Sequence, residues 1–289
     1  MCHMDVTAVI ITKNEEKNIT DCIQSISGFA ERILIIDSGS TDKTCQIAAE
    51  LGCEVHYHEF ETHAKQRNWA IDNLDIKTKW ILRFDADERF TPEFTKEVTR
   101  LIEQYDNDDG VNGIAAEAWL YFMGRKIKHG CRNKRKILLF KTGKGRIEDR
   151  RVDEHTVLLE GISVETKERF IHYDFKDMNN WINKLNWYAT KEVQDYIEYT
   201  NGKRTDYKNE DAALSAVRKK KFGFYYKLPM FLRCYMLFIY FYIFKLGFLD
   251  GKEGFIYNYM YHRWYRTLVD CKIFEYKKNP DAFETNSTF

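Results

Sequence analysis

Trp80-Ile81-Leu82-Arg83-Phe84-Asp85-Ala86-Asp87-Glu88 is the stretch whose reading decides the fold. A short apolar run that ends abruptly in carboxylates reads as a buried strand with its polar residues at the carboxyl end. Just downstream, Thr91-Pro92-Glu93 combines a cap, a first-turn proline and an early acid, so a helix starts there. Phe94, Val98, Leu101 and Tyr105 recur on its inward face. Toward the amino terminus the same unit repeats. The run Val6–Ile11 ends at Thr12-Lys13-Asn14-Glu15-Glu16, and Ile19, Cys22, Ile23 and Ile26 follow at helical spacing. Arg32–Ile36 ends at Asp37-Ser38-Gly39-Ser40, before a helix that turns Ile47, Ala48 and Leu51 inward. Cys53–His58 reads as a third strand and Ala64–Leu74 as a helix. Strands alternating with helices imply βαβ units and a parallel, Rossmann-like α/β sheet. Ligands of such sheets sit at the carboxyl ends of the strands. The polar clusters 12–16, 37–40 and 85–88 lie there.

After residue 112 the rhythm changes. Gly113–Tyr121, Ile137–Phe140, Val152–Leu159 and Phe170–Tyr173 read as shorter strands, and Asn179–Tyr199 as a long helix with Trp181, Leu185, Tyr188 and Glu192 at helical spacing. Further on, Cys234–Phe244 carries no charge and is bracketed by Arg233 and Lys245. Eleven helical residues reach about 16 Å, against a hydrocarbon layer of roughly 30 Å, so spanning is not expected. An interfacial or re-entrant helix is the expectation, with both cations snorkelling and the run Arg218-Lys219-Lys220-Lys221 facing anionic lipid. A buried core helix is the alternative.

The chain has 289 residues, 44% hydrophobic and 31% charged, enough for a packed core. A formal net charge of +1 argues against a nucleic-acid binder. The seven cysteines form no C-x-x-C pair, so neither zinc spacing nor a disulfide framework is expected. Reduced thiols suit the cytosol, and the opening leads straight into a strand without a signal-peptide pattern.

Asp85 and Asp87, two apart just past a strand, can converge on one hard cation such as Mg²⁺ or Mn²⁺, which would bridge a diphosphate. A solvated acidic turn is the plain alternative. With Val9–Glu16, Ile35–Asp42, Lys65-Gln66-Arg67-Asn68 and Phe84–Glu88 in this order, the chain resembles family 2 glycosyltransferases. His129-Gly130, Val152–His155, Ile171–Tyr173 and Gly247–Phe255 are similar to a subgroup that extends lipopolysaccharide core or lipid-linked surface glycans.

The resemblance implies a GT-A fold, a nucleotide-diphosphate sugar donor, a divalent metal and inversion at the anomeric carbon. Residues 1–112 would be the nucleotide-sugar-binding half, 113–215 the acceptor-binding and catalytic half, and 216–289 a helical membrane-associating region. Thr12, Asn14 and Glu15 would line the nucleoside pocket, and Asp37 would accept from the base. Lys65 and Arg67 would lie near base or phosphates, and Asp85 and Ala86 would face the donor. Asp85 and Asp87 would serve the metal. An inverting transfer needs a general base, usually a carboxylate, and the resemblance implies that this group follows the D-x-D by many tens of residues. Glu154 is the first choice, because the similar subgroup motif reads Val-x-Glu here, and Asp153 is the alternative, since the Glu-Asp order common in the family is reversed. His155 and His172 are further ligand or phosphate-donor candidates, with structural roles as the alternative. Arg132, Lys134, Arg135 and Lys136 are candidates to neutralise a phosphate, and Glu88 to orient Asp87 or contact acceptor. The acceptor would be a lipid-linked or lipopolysaccharide-type glycan, met by a cytoplasmic protein peripheral on the inner face of the cell membrane. A nucleotidyltransferase would need a glycine-rich phosphate cradle after the first strand, and none is present. A non-catalytic membrane-associated nucleotide-sugar-binding protein is the remaining alternative.

Overall fold

The computed structural model describes residues 3–131, 135–148, 155–201 and 222–280. Asp153, Glu154, Arg132, Lys134 and the basic run 218–221 lie outside these residues. The chain packs as two compact units, 1–121 with 132–174, and 122–131 with 175–289. Residues 135–141, 162–165 and 170–173 supply strands to the same sheet as the amino-terminal units.

In the first unit the βαβ reading holds. β1 (Met4–Thr12), α1 (Ile19–Ile26), β2 (Ala30–Asp37), α2 (Thr44–Glu50), β3 (Glu54–Tyr57), α3 (His63–Asn73) and β4 (Trp80–Asp85) alternate. β3, β2, β1 and β4 are parallel neighbours. β5 (Glu88–Arg89) and α4 (Pro92–Tyr105) follow, and Thr91 accepts from the Phe94 N–H at 3.2 Å as the α4 cap. β6 (Val111–Phe122) comes next in sequence, then β7 (Arg125–Ile127) of the second unit.

β8 (Arg135–Lys141) returns antiparallel between β4 and β6. β9 (Gly145–Ile147) and β10 (Thr156–Leu158) form a small ribbon. β11 (Ile162–Glu165) and β12 (Phe170–Tyr173) are both parallel to β6. The sheet runs β3-β2-β1-β4-β8-β6-β12-β5. It is the mixed α/β, Rossmann-like arrangement that the resemblance implies. Its core holds Ile10, Trp80, Phe84 and Phe94, all fully buried. Each such side chain taken from water stabilises the unit by about 1.5–3 kcal/mol. The strand expected at Val152–Leu159 is seen at Thr156–Leu158.

The second unit is helical. α5 (Met178–Thr200) buries Trp181, Leu185, Ala189 and Val193, a stripe at the spacing of one helix face. α6 (Leu232–Ile239) continues into a π-helical turn over Tyr240–Phe244. α7 (Gly251–Asn258) leads through a second such turn into α8 (Tyr265–Lys278). Among the described residues no single helix is long and apolar enough to cross a membrane.

Candidate active site

Register sets the site. Thr12 of β1 stands beside Asp37 of β2, which stands beside Tyr57 of β3, and on the other side Ile11 pairs with Asp85 of β4. A row of polar residues therefore lies across the carboxyl ends of four parallel strands, the place where such sheets bind ligands. A cavity of about 450 Å³, lined by Lys79, Asp106, Asn112 and Lys141, lies instead at the amino end of β4.

Asp37 organises the first loop. Its carboxylate accepts from Thr12 Oγ1 at 3.0 Å, from the Gly39 and Ser40 N–H groups at 2.8 Å each, and from the Ser40 hydroxyl. Gly39 sits at φ +89°, a backbone conformation only glycine adopts without strain. Burial pushes the Asp37 carboxyl up, but these donors outweigh it and hold it below the usual range. Asn14 takes φ +54°, and its Oδ1 accepts from the Thr41 N–H at 2.8 Å. The Glu15 N–H donates to Thr44 Oγ1 at 2.7 Å. Thr12, Asn14, Glu15 and Asp37 are thus brought together, knitting the loops after β1 and β2.

Lys65 and Arg67 are not brought together. Two residues apart on a helix they face different ways. Lys65 is exposed and pairs with Glu61 at 2.6 Å, whereas Arg67 is buried and ion-paired with Asp85. Lys136 also reaches Asp85, at 3.2 Å, and bonds Glu88 at 2.6 and 2.7 Å. Burial opposes the Asp85 charge, but Lys136 and Arg67 prevail and hold its carboxyl well below the usual range. Glu88 accepts the Asp85 N–H at 3.0 Å and so braces the turn. Its own carboxyl is pushed up to about 7 by burial, with Lys136 pulling the other way. Ala86 turns its methyl into the core.

Asp87 faces elsewhere. The two-residue strand β5 pairs antiparallel with β12, setting His172 opposite Glu88. His172 Nε2 then lies 3.3 Å from Asp87 Oδ2. Asp87, His172 and Asp174 each offer one ligand atom, all within 4.8 Å of one another. Burial lowers the basicity of the His172 ring, but Asp87 raises it further, to about 9. Two carboxylates suit a hard cation such as Mn²⁺ or Mg²⁺, the imidazole adds a third ligand, and the three ligand atoms already lie within 4.8 Å of one another, so a small inward movement would let them close on one ion. The residues therefore fit a divalent cation. Asp174 was not singled out from the sequence. The available signal was its spacing, two after His172 at the end of a strand, which repeats the spacing of the D-x-D. His155 precedes β10, its carbonyl accepting from the Glu148 N–H at 2.8 Å, and it is not part of this group.

With this geometry in view, the family is settled by comparison. The model of glycosyl transferase family 2 matches residues 7–152, half of the chain, and the chain belongs to that family. It is a glycosyltransferase. Among similar proteins is the lipopolysaccharide core biosynthesis glycosyltransferase LpsC of Rhizobium meliloti (strain 1021), 28% identical over 70% of this chain and 74% of LpsC. An uncharacterized glycosyltransferase of Rickettsia felis is 26% identical over 67% of this chain and 70% of its own length. The structure of glucosyl-3-phosphoglycerate synthase from Mycobacterium tuberculosis, in complex with Mn²⁺, UDP and glucosyl-3-phosphoglycerate, aligns over 40% of this chain and 44% of that one, at 21% identity and a TM-score of 0.32.

Proposed function

We propose that the protein is an inverting glycosyltransferase that moves a sugar from a nucleotide-diphosphate sugar to a hydroxyl of a lipid-linked or lipopolysaccharide-type glycan. The observation that carries this reading is the split of the D-x-D: Asp85 is held by Arg67 and Lys136, while Asp87 joins His172 and Asp174. The donor would lie along the strand ends, with its nucleoside over Thr12, Asn14, Glu15 and Asp37. Arg67 and Lys136, drawn to Asp85, keep positive charge beside the position of the diphosphate, with Lys65 further out.

Asp87, His172 and Asp174 would hold Mn²⁺ or Mg²⁺, which when bound stabilises the charge that grows on the departing diphosphate. The His172 ring would shed its proton on binding, since a ligating imidazole is neutral. Glu154, with Asp153 as the alternative, would take the proton of the acceptor hydroxyl. As that proton leaves, the hydroxyl oxygen bonds to the anomeric carbon from the face opposite the diphosphate. The bond from that carbon to the diphosphate oxygen breaks, and the configuration inverts. The named activity of LpsC supports a lipopolysaccharide-type acceptor. The setting that follows is the inner face of the cell membrane, with the membrane surface as a partner.

The test is release of nucleoside diphosphate from a panel of nucleotide sugars, with Mn²⁺ and with chelator, and the anomeric configuration of the product read by NMR. One donor should be turned over only with metal, with inversion. Binding without turnover of any donor would leave the non-catalytic reading, and release of pyrophosphate would point to a nucleotidyltransferase.

A further inference from the structure

Helix α6 turns an apolar face outward. Along α6 and its π-turn, Leu232, Tyr235, Met236, Ile239, Tyr240 and Ile243 recur at the spacing of one helix face, and all are exposed. Phe244, at the end of this face, is 72% exposed. Several polar residues point inward instead. Arg233 is 2% exposed, and its guanidinium is ion-paired with the fully buried Asp270 of α8. Asn258 and His262 are buried as well, His262 stacked on Phe241 with ring centroids 3.9 Å apart. The cation expected to snorkel from one end of the apolar run is thus committed to the interior.

The apolar face continues beyond the bend. The helical arms Leu232–Phe244 and Gly247–Lys278 meet at 71°. Phe238 and Tyr242 of the first arm pack against Phe255 of the second, with Tyr259 beside Phe238 and Phe248 beside Tyr242. Phe248, Leu249, Phe255 and Tyr259 are exposed in turn. Exposed apolar surface of this extent marks a docking site.

Charge decides the occupant. Between Asp211 and Asp250 the sequence contains no acid, while it carries the run 218–221, Lys227 and Lys245. Of these, Lys227 and Lys245 are exposed, and a two-fold interface over this face would bring like charges of two copies together. An anionic bilayer would pair them with lipid phosphates and take the apolar side chains into its acyl boundary. We propose that the bent pair formed by α6 and the helices after Gly247 is a monotopic foot that seats the protein in an anionic lipid surface, inserting Tyr235, Ile239, Ile243 and Phe244 while the Arg233–Asp270 pair stays inside the protein. The proposal deepens the functional reading, on which it rests for the lipid-borne acceptor.

The test is flotation of the full-length protein with phosphatidylcholine vesicles, with and without phosphatidylglycerol. The wild type should float with the anionic vesicles, less with neutral ones, and less as salt rises. The double substitution Ile239→Asp with Ile243→Asp alters exposed positions only, and should lower vesicle partitioning at least about tenfold at low salt. Leu232→Gln with Met236→Gln provides a second, uncharged test, and each variant is checked by its melting temperature. Wild type that stays with the supernatant, equal binding to neutral vesicles, or binding untouched in folded variants would overturn the proposal. So would a wild-type dimer in light scattering that the Asp variant splits, since a second copy would then cover the face. Donor cleavage in solution should be unchanged in the variants. A protein that floats but cleaves no donor would sink the functional reading and leave the foot standing.

Discussion

Asp85 and Asp87 are separated by one residue and have different partners. Asp85 is neutralised by two cations, and Asp87 faces a histidine and a second acid. Asp87→Ala should therefore abolish transfer and remove the Mn²⁺-dependent gain in melting temperature given by nucleoside diphosphate, since metal stabilisation of the leaving group is commonly worth several kcal/mol. A folded Asp87→Ala protein with near wild-type transfer would refute the assignment. The general base is testable in the same way. Glu154→Gln should keep donor affinity and lower turnover by roughly two to four orders of magnitude, with Asp153→Asn milder. An inactive Asp153→Asn beside an active Glu154→Gln would exchange the two roles. The polar strand ends were legible residue by residue because an apolar run breaking into carboxylates is a local pattern. The partners of Asp85 were not, because Lys136 lies 51 residues away and meets it only through the antiparallel insertion of β8.

At the scale of elements, the helices of the first unit announce themselves through caps and spacing, as Thr91 and Pro92 do for α4. β5 does not. Two residues are too few to show a period, yet this strand sets His172 beside Asp87. In the second unit, α6 and α8 are joined by a buried charge pair rather than by apolar packing alone. Asp270 receives Arg233 Nε at 3.0 Å and the Phe231 N–H at 2.8 Å. Removing one partner leaves the other charge buried. Asp270→Ala should cost about 3–5 kcal/mol in urea unfolding, whereas Arg233→Met with Asp270→Leu should cost much less. A double variant that loses more than Asp270→Ala would show that the orphaned charge does not set the cost of the single substitution. Glu192 of α5 is a second buried hub, accepting from the hydroxyls of Tyr226 at 2.9 Å and Tyr265 at 2.7 Å and from Arg266 at 2.6 Å.

For the molecule as a whole, ligand binding and stability are linked. Mn²⁺ together with the correct nucleotide sugar should raise unfolding stability by about 2.7 kcal/mol when free donor stands a hundredfold above its dissociation constant. Chelation should remove most of that gain. A donor that is turned over yet gives the same melting-temperature gain with and without chelator would show that metal does not couple to donor binding. The net charge of +1 conceals a strong asymmetry, with the stretch from Asp211 to Asp250 free of acids and rich in cations and aromatics. That asymmetry, visible in composition, is what the foot would use.

The alternation of apolar runs with helical spacings determined the parallel units β1 to β4 and the place of the polar clusters, because both are set by neighbours in the chain. The ordering of strands, with β8 antiparallel between β4 and β6, was decided only in three dimensions, since non-local pairing leaves no period in the sequence. The same holds for the direction each charge faces. Arg233 reads in sequence as a flanking cation beside an apolar run, and the fold turns it inward to Asp270 because a helix distributes consecutive residues around its axis. Asp87, His172 and Asp174 come from opposite sides of an 85-residue stretch, and only the pairing of β5 with β12 makes them one group.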